Sequence, residues 1–313
     1  MHSMQGIDAA KQWFFSAGLP MLERDFADVL PRIAAGLAGR GSECFGFDDE
    51  ISQDHDFFTG FALWITEEDE KQIGFRLERA YTRLMKEQPP ELSASAESML
   101  GGPEHGVCTI SGFYQRHLGF PGAPRNWREW LYTPEYAFAE AVNGAVFRDE
   151  AGIFSGIRNT ILNGMPVDVL LKKLAARAVF MAQSGQYNFA RCLKHGERGA
   201  AVMALTEFVR QAASMIFLLN RRFMPYYKWM FRAMRDLPIL NDMAEPLEFL
   251  LTEHAESELK ITIVDHICNA VTDELSARGL VEKKKDVYLE PYAFELMAQI
   301  RDPEIRSLHI MEG

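Results

Sequence analysis

Cysteine is scarce and scattered: Cys44, Cys108, Cys192 and Cys268 lie far apart in a chain of 313 residues, with no Cys-x-x-Cys spacing. That excludes a zinc-finger ligand set and a disulfide framework, and it is the usage expected of reduced thiols in a cytoplasm. Basic charge is also in deficit. Lys and Arg number 33 against 44 Asp and Glu, for a formal net charge of −11 and a pI near 5.3. A broad, non-specific nucleic-acid binder needs a basic footprint, so that class is excluded, whereas a local basic pocket for phosphates is not. No uncharged apolar run reaches the roughly 18 residues of a membrane-spanning helix, so no membrane segment is expected. Residues 1–8 hold no basic stretch leading into an apolar core, so no secretory signal is expected. Repeats and low-complexity tracts are missing too. What is there is 48% hydrophobic and long enough for two domains with a substantial core.

Periodicity divides the chain into an α+β half, 1–158, and a helical half, 159–313, with the boundary between Ile153 and Pro166. Helices are expected at 9–17 and 21–30, the second closed by Pro31, then a short buried strand at 33–38. Thr66-Glu-Glu-Asp should cap a helix running to about Lys86, with Ile73, Leu77, Ala80, Tyr81 and Leu84 as its apolar stripe. Residues 89–105, rich in Pro, Ser, Ala and Gly, suit a loop beside a site. Strands are expected at 107–110 and 145–147. From Pro166 helical patterning dominates, at 167–183, 199–220, 226–236, 244–251, 259–278 and 291–300.

The residues that say most about chemistry follow the first strand. Gly41-Ser42 stands at a turn suited to a helix start, where backbone N–H groups and a hydroxyl can meet a phosphate. Beyond the spacer from Glu43 to Gln53 comes Asp54-His55-Asp56, opening the apolar run Phe57-Phe58. Carboxylates at i and i+2 on a strand project from one face, and together suit a hard divalent cation with oxygen ligands. Asp48, Asp49 and Glu50 in the spacer read as loop acids or helix caps rather than ligands. His55 should point to the opposite sheet face, and His105, His117 and His195 show no ligand spacing.

This arrangement resembles the signature of the nucleotidyltransferase superfamily typified by DNA polymerase β and the aminoglycoside nucleotidyltransferases: an apolar strand, Gly-Gly or Gly-Ser, a spacer, then Asp-x-Asp or Asp-x-Glu. Further on, Asn220-Arg-Arg-Phe-Met-Pro-Tyr-Tyr-Lys228-Trp229 looks like the helical segment of bacterial relatives in which a lysine faces the nucleotide phosphates. The chain as a whole is similar to a bacterial domain-of-unknown-function family, DUF4037, placed in that superfamily. The resemblance implies a nucleotidyltransferase fold, a small mixed sheet with helices, followed by a C-terminal helical bundle. It also implies Asp54 and Asp56 as catalytic and metal-binding residues for Mg²⁺ or Mn²⁺. Gly41, Ser42 and Lys228 would bind ATP or another NTP, around one pocket.

The chain departs from the pattern at one point. Members that catalyse transfer carry a third carboxylate on a later strand, and residues 105–111, His-Gly-Val-Cys-Thr-Ile-Ser, contain no acid. Glu104, Asp149 and Glu207 are the candidate substitutes. Arg221, Arg222 and Lys228 could contact phosphates, and Tyr226, Tyr227 and Trp229 could stack on a base or belong to the core. Lys283, Lys284 and Lys285 read as a loop cluster. The expected activity is transfer of a nucleoside monophosphate, AMP first among them, to a hydroxyl on a small-molecule acceptor by a cytoplasmic monomer or homodimer. The alternatives are a nucleotide-binding regulatory module that has lost catalysis and a partner-binding protein.

Overall fold

The computed structural model describes residues 6–48, 60–90, 105–284 and 288–313. The chain divides into two compact units, Met1–Arg125 with Ala137–Gly164, and Asn126–Tyr136 with Met165–Gly313. The last crossing follows Gly164, and a short segment from the middle of the first half, Asn126–Tyr136, belongs to the second unit.

The first unit is built on a four-stranded mixed sheet, β1 (Ala34–Leu37), β2 (Ala62–Ile65), β3 (Gly106–Thr109) and β4 (Ala145–Arg148), in the order β3-β2-β1-β4. β1 runs antiparallel to both of its neighbours, and β2 is parallel to β3. Every residue of β1 and β2 is buried. That is why Ala-Ala-Gly-Leu and Ala-Leu-Trp-Ile read as unbroken apolar runs rather than alternations. Ala35, Leu63 and Ile65 pack with Phe14, Leu22, Leu77 and Tyr81 in one core cluster. Elsewhere on β2 the Trp64 ring stacks on Phe154 at 3.9 Å and meets Phe113 edge-on at 5.6 Å.

Where two separate N-terminal helices were expected, the structure has a continuous one. Helix Gly6–Trp13 passes through a wide π-turn, Phe14–Gly18, into helix Leu19–Asp25. Pro20 explains the turn: it has no N–H to donate, and in a regular helix its ring would meet the carbonyl four residues back. The Leu19 N–H instead donates to Phe14 O, one residue further than the α-helical spacing. After β2 the Thr66 hydroxyl caps the next helical run by accepting from the Asp69 N–H at 3.1 Å. That run continues through Phe75–Glu87 and buries Ile73, Leu77, Tyr81 and Leu84 as expected. Helices Ile110–Leu118 and Ile153–Asn163 add to this unit, and Glu135–Val142 carries the chain back into it from the second; none of them was anticipated.

Among the described residues the second unit is helical in all its regular elements: Trp127–Tyr132, Val167–Met181 with a π-turn at Ala182–Phe189, Arg198–Leu219, Tyr227–Arg235, Ala244–Thr252, Ser257–Ala277 and Glu290–Ala298 lead the set. Helix Arg198–Leu219 is long and apolar enough to cross a membrane by length and composition, yet 67% of its most apolar window is buried inside the protein. It packs as a core helix, with Phe208, Ala212, Met215 and Ile216 fully enclosed. The architecture is thus α+β, a small mixed sheet with helices and a second, helical unit.

Candidate functional site

β1 delivers the chain to the Gly41-Ser42 turn, and polar contacts from a distant helix end fix that turn. The Gly39 N–H donates to Asn143 Oδ1 at 2.8 Å, and Asn143 Nδ2 donates back to Gly39 O at 2.6 Å. Gly144, at φ +67°, lies so close to β1 that a Cβ there would come within 1.9 Å of Leu37 O. Arg40 reaches Glu140 at 3.5 Å, and the buried His117 meets the same carboxylate at 3.4 Å. His117 therefore belongs to the scaffold. Gly41 then caps helix Ser42–Phe45, the helix start expected there, which left-handed Gly46 ends. Pre-set turns of this kind present backbone N–H groups without further ordering cost.

One neighbour complicates access. A side chain at position 41 would collide with the Glu43 carboxylate, whose Oε1 lies 2.0 Å from an ideal Cβ position. A phosphate approaching Gly41 meets that negative charge unless Glu43 swings aside or a cation offsets it. Asp48 plays the capping role expected of the spacer acids: its Oδ2 accepts the Gly6 N–H at 2.7 Å at the start of the first helix. Asp54 and Asp56, with Asp49, Glu50, His55, Phe57, Phe58 and Glu104, lie outside the described residues. Among the described residues no group of three or more His, Cys, Asp or Glu side chains could hold a metal ion.

The substitute carboxylates that are described both have other duties. Asp149 Oδ2 accepts the Ser155 N–H at 2.7 Å at the start of helix Ile153–Asn163. Glu207 is clasped by Arg210 at 2.7 Å and Gln211 at 2.6 Å. Burial pushes the Glu207 carboxyl up, but these hydrogen bonds outweigh it and hold the group below its usual range, which weakens it as a base. Arg221 and Arg222 close helix Arg198–Leu219: their N–H groups donate to Leu218 O and Phe217 O, each at 3.0 Å, with Arg221 at φ +53° in a position glycine normally fills. Lys228 is exposed in the second unit, its ammonium 4.8 Å from the Trp229 ring centroid. His195 is exposed beyond helix Ala190–Lys194, and Lys283 and Lys284 pair with Asp273 and Glu295.

Sequence reasoning missed the most elaborate polar feature, which lies inside the second unit. Lys172 is fully buried and donates to His309 O at 2.8 Å, Ile310 O at 3.1 Å and Glu312 O. Lys173 donates to Leu131 O at 2.9 Å. Burial pushes both ammonium groups down to about 8. One turn on, Arg177 Nε donates to Ser214 Oγ at 2.8 Å, and that hydroxyl donates to Glu135 Oε1 at 2.7 Å. Glu135 Oε2 and Gln211 Oε1 are buried without a hydrogen-bond partner. The signal was available: adjacent lysines inside Val-Asp-Val-Leu-Leu-Lys-Lys-Leu-Ala-Ala cannot both reach water from a helix that is apolar on every side.

With this geometry in place, the comparisons with known proteins bear on the second unit most. Residues 130–230 match the model of a family described as a domain of unknown function, DUF4037. The matched segment holds Glu135, Lys172, Lys173, Arg177, Gln211, Ser214 and Lys228; Gly41, Ser42, Asp54 and Asp56 fall before it. In class this is therefore an α+β chain in which residues 130–230 are similar to the DUF4037 family. Among solved structures, a nucleotidyltransferase-like protein from Exiguobacterium sibiricum is similar, at 13% identity over 91% of this chain and 82% of that one, with a TM-score of 0.36. A likeness that low decides neither fold nor activity. None of the curated proteins matches the chain.

Proposed function

We propose that the protein is a Mg²⁺-dependent nucleotidyltransferase that moves AMP from ATP, or the corresponding monophosphate from another NTP, to a hydroxyl on a small-molecule acceptor in the cytoplasm. The observation that carries this reading is the braced Gly41-Ser42 turn at the end of a buried strand, followed in sequence by Asp54-His55-Asp56. Asp54 and Asp56 offer the oxygen ligands a hard cation takes. Asp54 and Asp56 would hold Mg²⁺, and its charge would offset that of the nucleotide phosphates. The Gly41 and Ser42 backbone holds the terminal phosphates once Glu43 has turned away, and Lys228 supplies a compensating positive charge. The acceptor hydroxyl attacks the α-phosphorus in line, its proton passes to a carboxylate, and pyrophosphate leaves.

Calorimetry of the full chain with ATP and Mg²⁺ or Mn²⁺ tests this directly. Metal-dependent binding is expected in the wild type and its loss in Asp54→Ala and Asp56→Ala, with an unchanged circular dichroism spectrum. No nucleotide binding with either metal would sink the reading. A second reading, a nucleotide-binding regulatory module without transfer, is favoured by the engagement of Asp149 and Glu207 in other contacts. Recovery of labelled AMP on any acceptor would dispose of it.

A further inference from the structure

Arg158 carries a charge that the first unit leaves unanswered. Its helix, Ile153–Asn163, is pinned to the sheet by Phe154, whose ring stacks on Trp64 at 3.9 Å and whose carbonyl accepts the Tyr114 hydroxyl at 3.2 Å. Arg158 follows Phe154 by one turn and so extends from the same side of that helix. Its Nη2 donates to Gly144 O at 2.9 Å, whereas Nη1 is enclosed and has no hydrogen-bond partner among the described residues. Other arginines of this unit are paired: Arg32 with Asp69, Arg40 with Glu140 and Arg148 with Glu150. Burial pushes the Arg158 guanidinium down, and the group that acts the other way is the Tyr114 phenol, not a carboxylate. A half-buried cation without a counter-charge is costly, and an anion that reaches it removes that cost.

Gly144 fixes where such an anion would sit. A Cβ there would come within 1.9 Å of Leu37 O and 3.0 Å of Ala38 Cα, and the neighbouring Asn143 exchanges two hydrogen bonds with Gly39. The guanidinium therefore stands beside the backbone that leads into Gly41-Ser42, and all of these residues belong to one unit. A guanidinium fork matches the oxygens of a phosphate and keeps its charge at any working pH.

We propose that Arg158 holds a phosphate group of a polyphosphate ligand, in an anion site that lies wholly within the first unit; its identification with the nucleotide's phosphates rests on the reading above. The test is calorimetric titration of the full chain with inorganic pyrophosphate in the absence of metal, and then with Mg²⁺-ATP, in wild type, Arg158→Met and Arg158→Lys. Pyrophosphate should bind the wild type and bind Arg158→Met roughly tenfold more weakly, with Arg158→Lys between them. Added NaCl should weaken binding more in the wild type than in Arg158→Met, a difference that a mere prop for Gly144 would not produce. Should Arg158→Met fail to fold, urea unfolding of the wild type decides: pyrophosphate must raise the midpoint above that in NaCl of equal ionic strength, and no rise overturns the site. Equal affinities in wild type and Arg158→Met overturn the site and, where Mg²⁺-ATP binds, leave the nucleotide reading standing. Pyrophosphate binding that Arg158→Met loses, with no Mg²⁺-ATP binding in the wild type, keeps the site and removes the nucleotide reading. No binding of either ligand removes both.

Discussion

In the first unit polar groups gather at turns, where short side chains and glycines brace the backbone around an apolar sheet. In the second unit two lysines lie buried in the middle of a helix, and a half-buried arginine one turn on meets a buried glutamate. The contrast follows from what each architecture leaves unsatisfied. A sheet pairs its own backbone, so polar contacts are needed only where strands end, as at Gly39 and Asn143. A helical unit must also satisfy irregular segments laid against its helices. Lys172 and Lys173 do so by donating to the carbonyls of residues 309–312 and of Leu131. The first unit should therefore be sensitive to shape and the second to charge.

The largest test of that contrast is Trp64→Ala. It empties a fully buried site stacked on Phe154 and should cost about 4 kcal/mol in urea unfolding. Hydrogen exchange should quicken in β1 and β2 more than in helix Val167–Met181; uniform quickening would show that the two units share one cooperative core. Next comes Glu135→Ala, which leaves Arg177 without its buried counter-charge and should cost about 3 kcal/mol. Glu135→Gln, which can still accept from Ser214, should recover part of that. Gly144→Ala should cost about 2 kcal/mol, because φ +67° disfavours a side chain and Leu37 O blocks it. The same substitution should weaken Mg²⁺-ATP binding, since it moves the strand that presents Gly41. The smallest effect is on pH dependence. Lys173 is pushed down to about 8 from an ordinary 10.5, so above pH 8 the folded chain has shed a proton that the unfolded chain retains. Stability should rise between pH 8 and 10 through Lys173 and equally through Lys172, likewise pushed down to about 8, and Lys173→Met should remove about half of the rise. Above pH 10 the trend should reverse, because burial holds the Tyr81 and Tyr114 hydroxyls protonated after those of the unfolded chain ionise.

Much of the fold was legible in the sequence where local rules govern. Helix Arg198–Leu219 was readable from its period, and the Thr66 cap and the strands around Ala34 and Gly106 from their residue types. Helices Ile110–Leu118 and Trp127–Tyr132 were not, since they are short and aromatic and their apolar faces are set by tertiary partners. Of the candidate site, the Gly41 helix start was legible, whereas the bracing by Asn143 and Glu140 was not: those partners lie about a hundred residues away in the chain. The burial of Lys172 and Lys173 was legible in their apolar helix, but their partners were not, as those acceptors are carbonyls that any sequence possesses.

The excursion of Asn126–Tyr136 has a practical consequence for dissecting this molecule. Because the chain enters the second unit, returns to the first at Ala137 and leaves again after Gly164, no single cut yields two intact halves. A fragment beginning at Met165 lacks Leu131 and Glu135, and so strands Lys173 and Arg177 without their buried partners. The segment 130–230 that defines the DUF4037 match begins inside this excursion and spans two of the three crossings. It is thus a seam rather than a module, and shuffling it into another protein would require transplanting parts of two bodies at once.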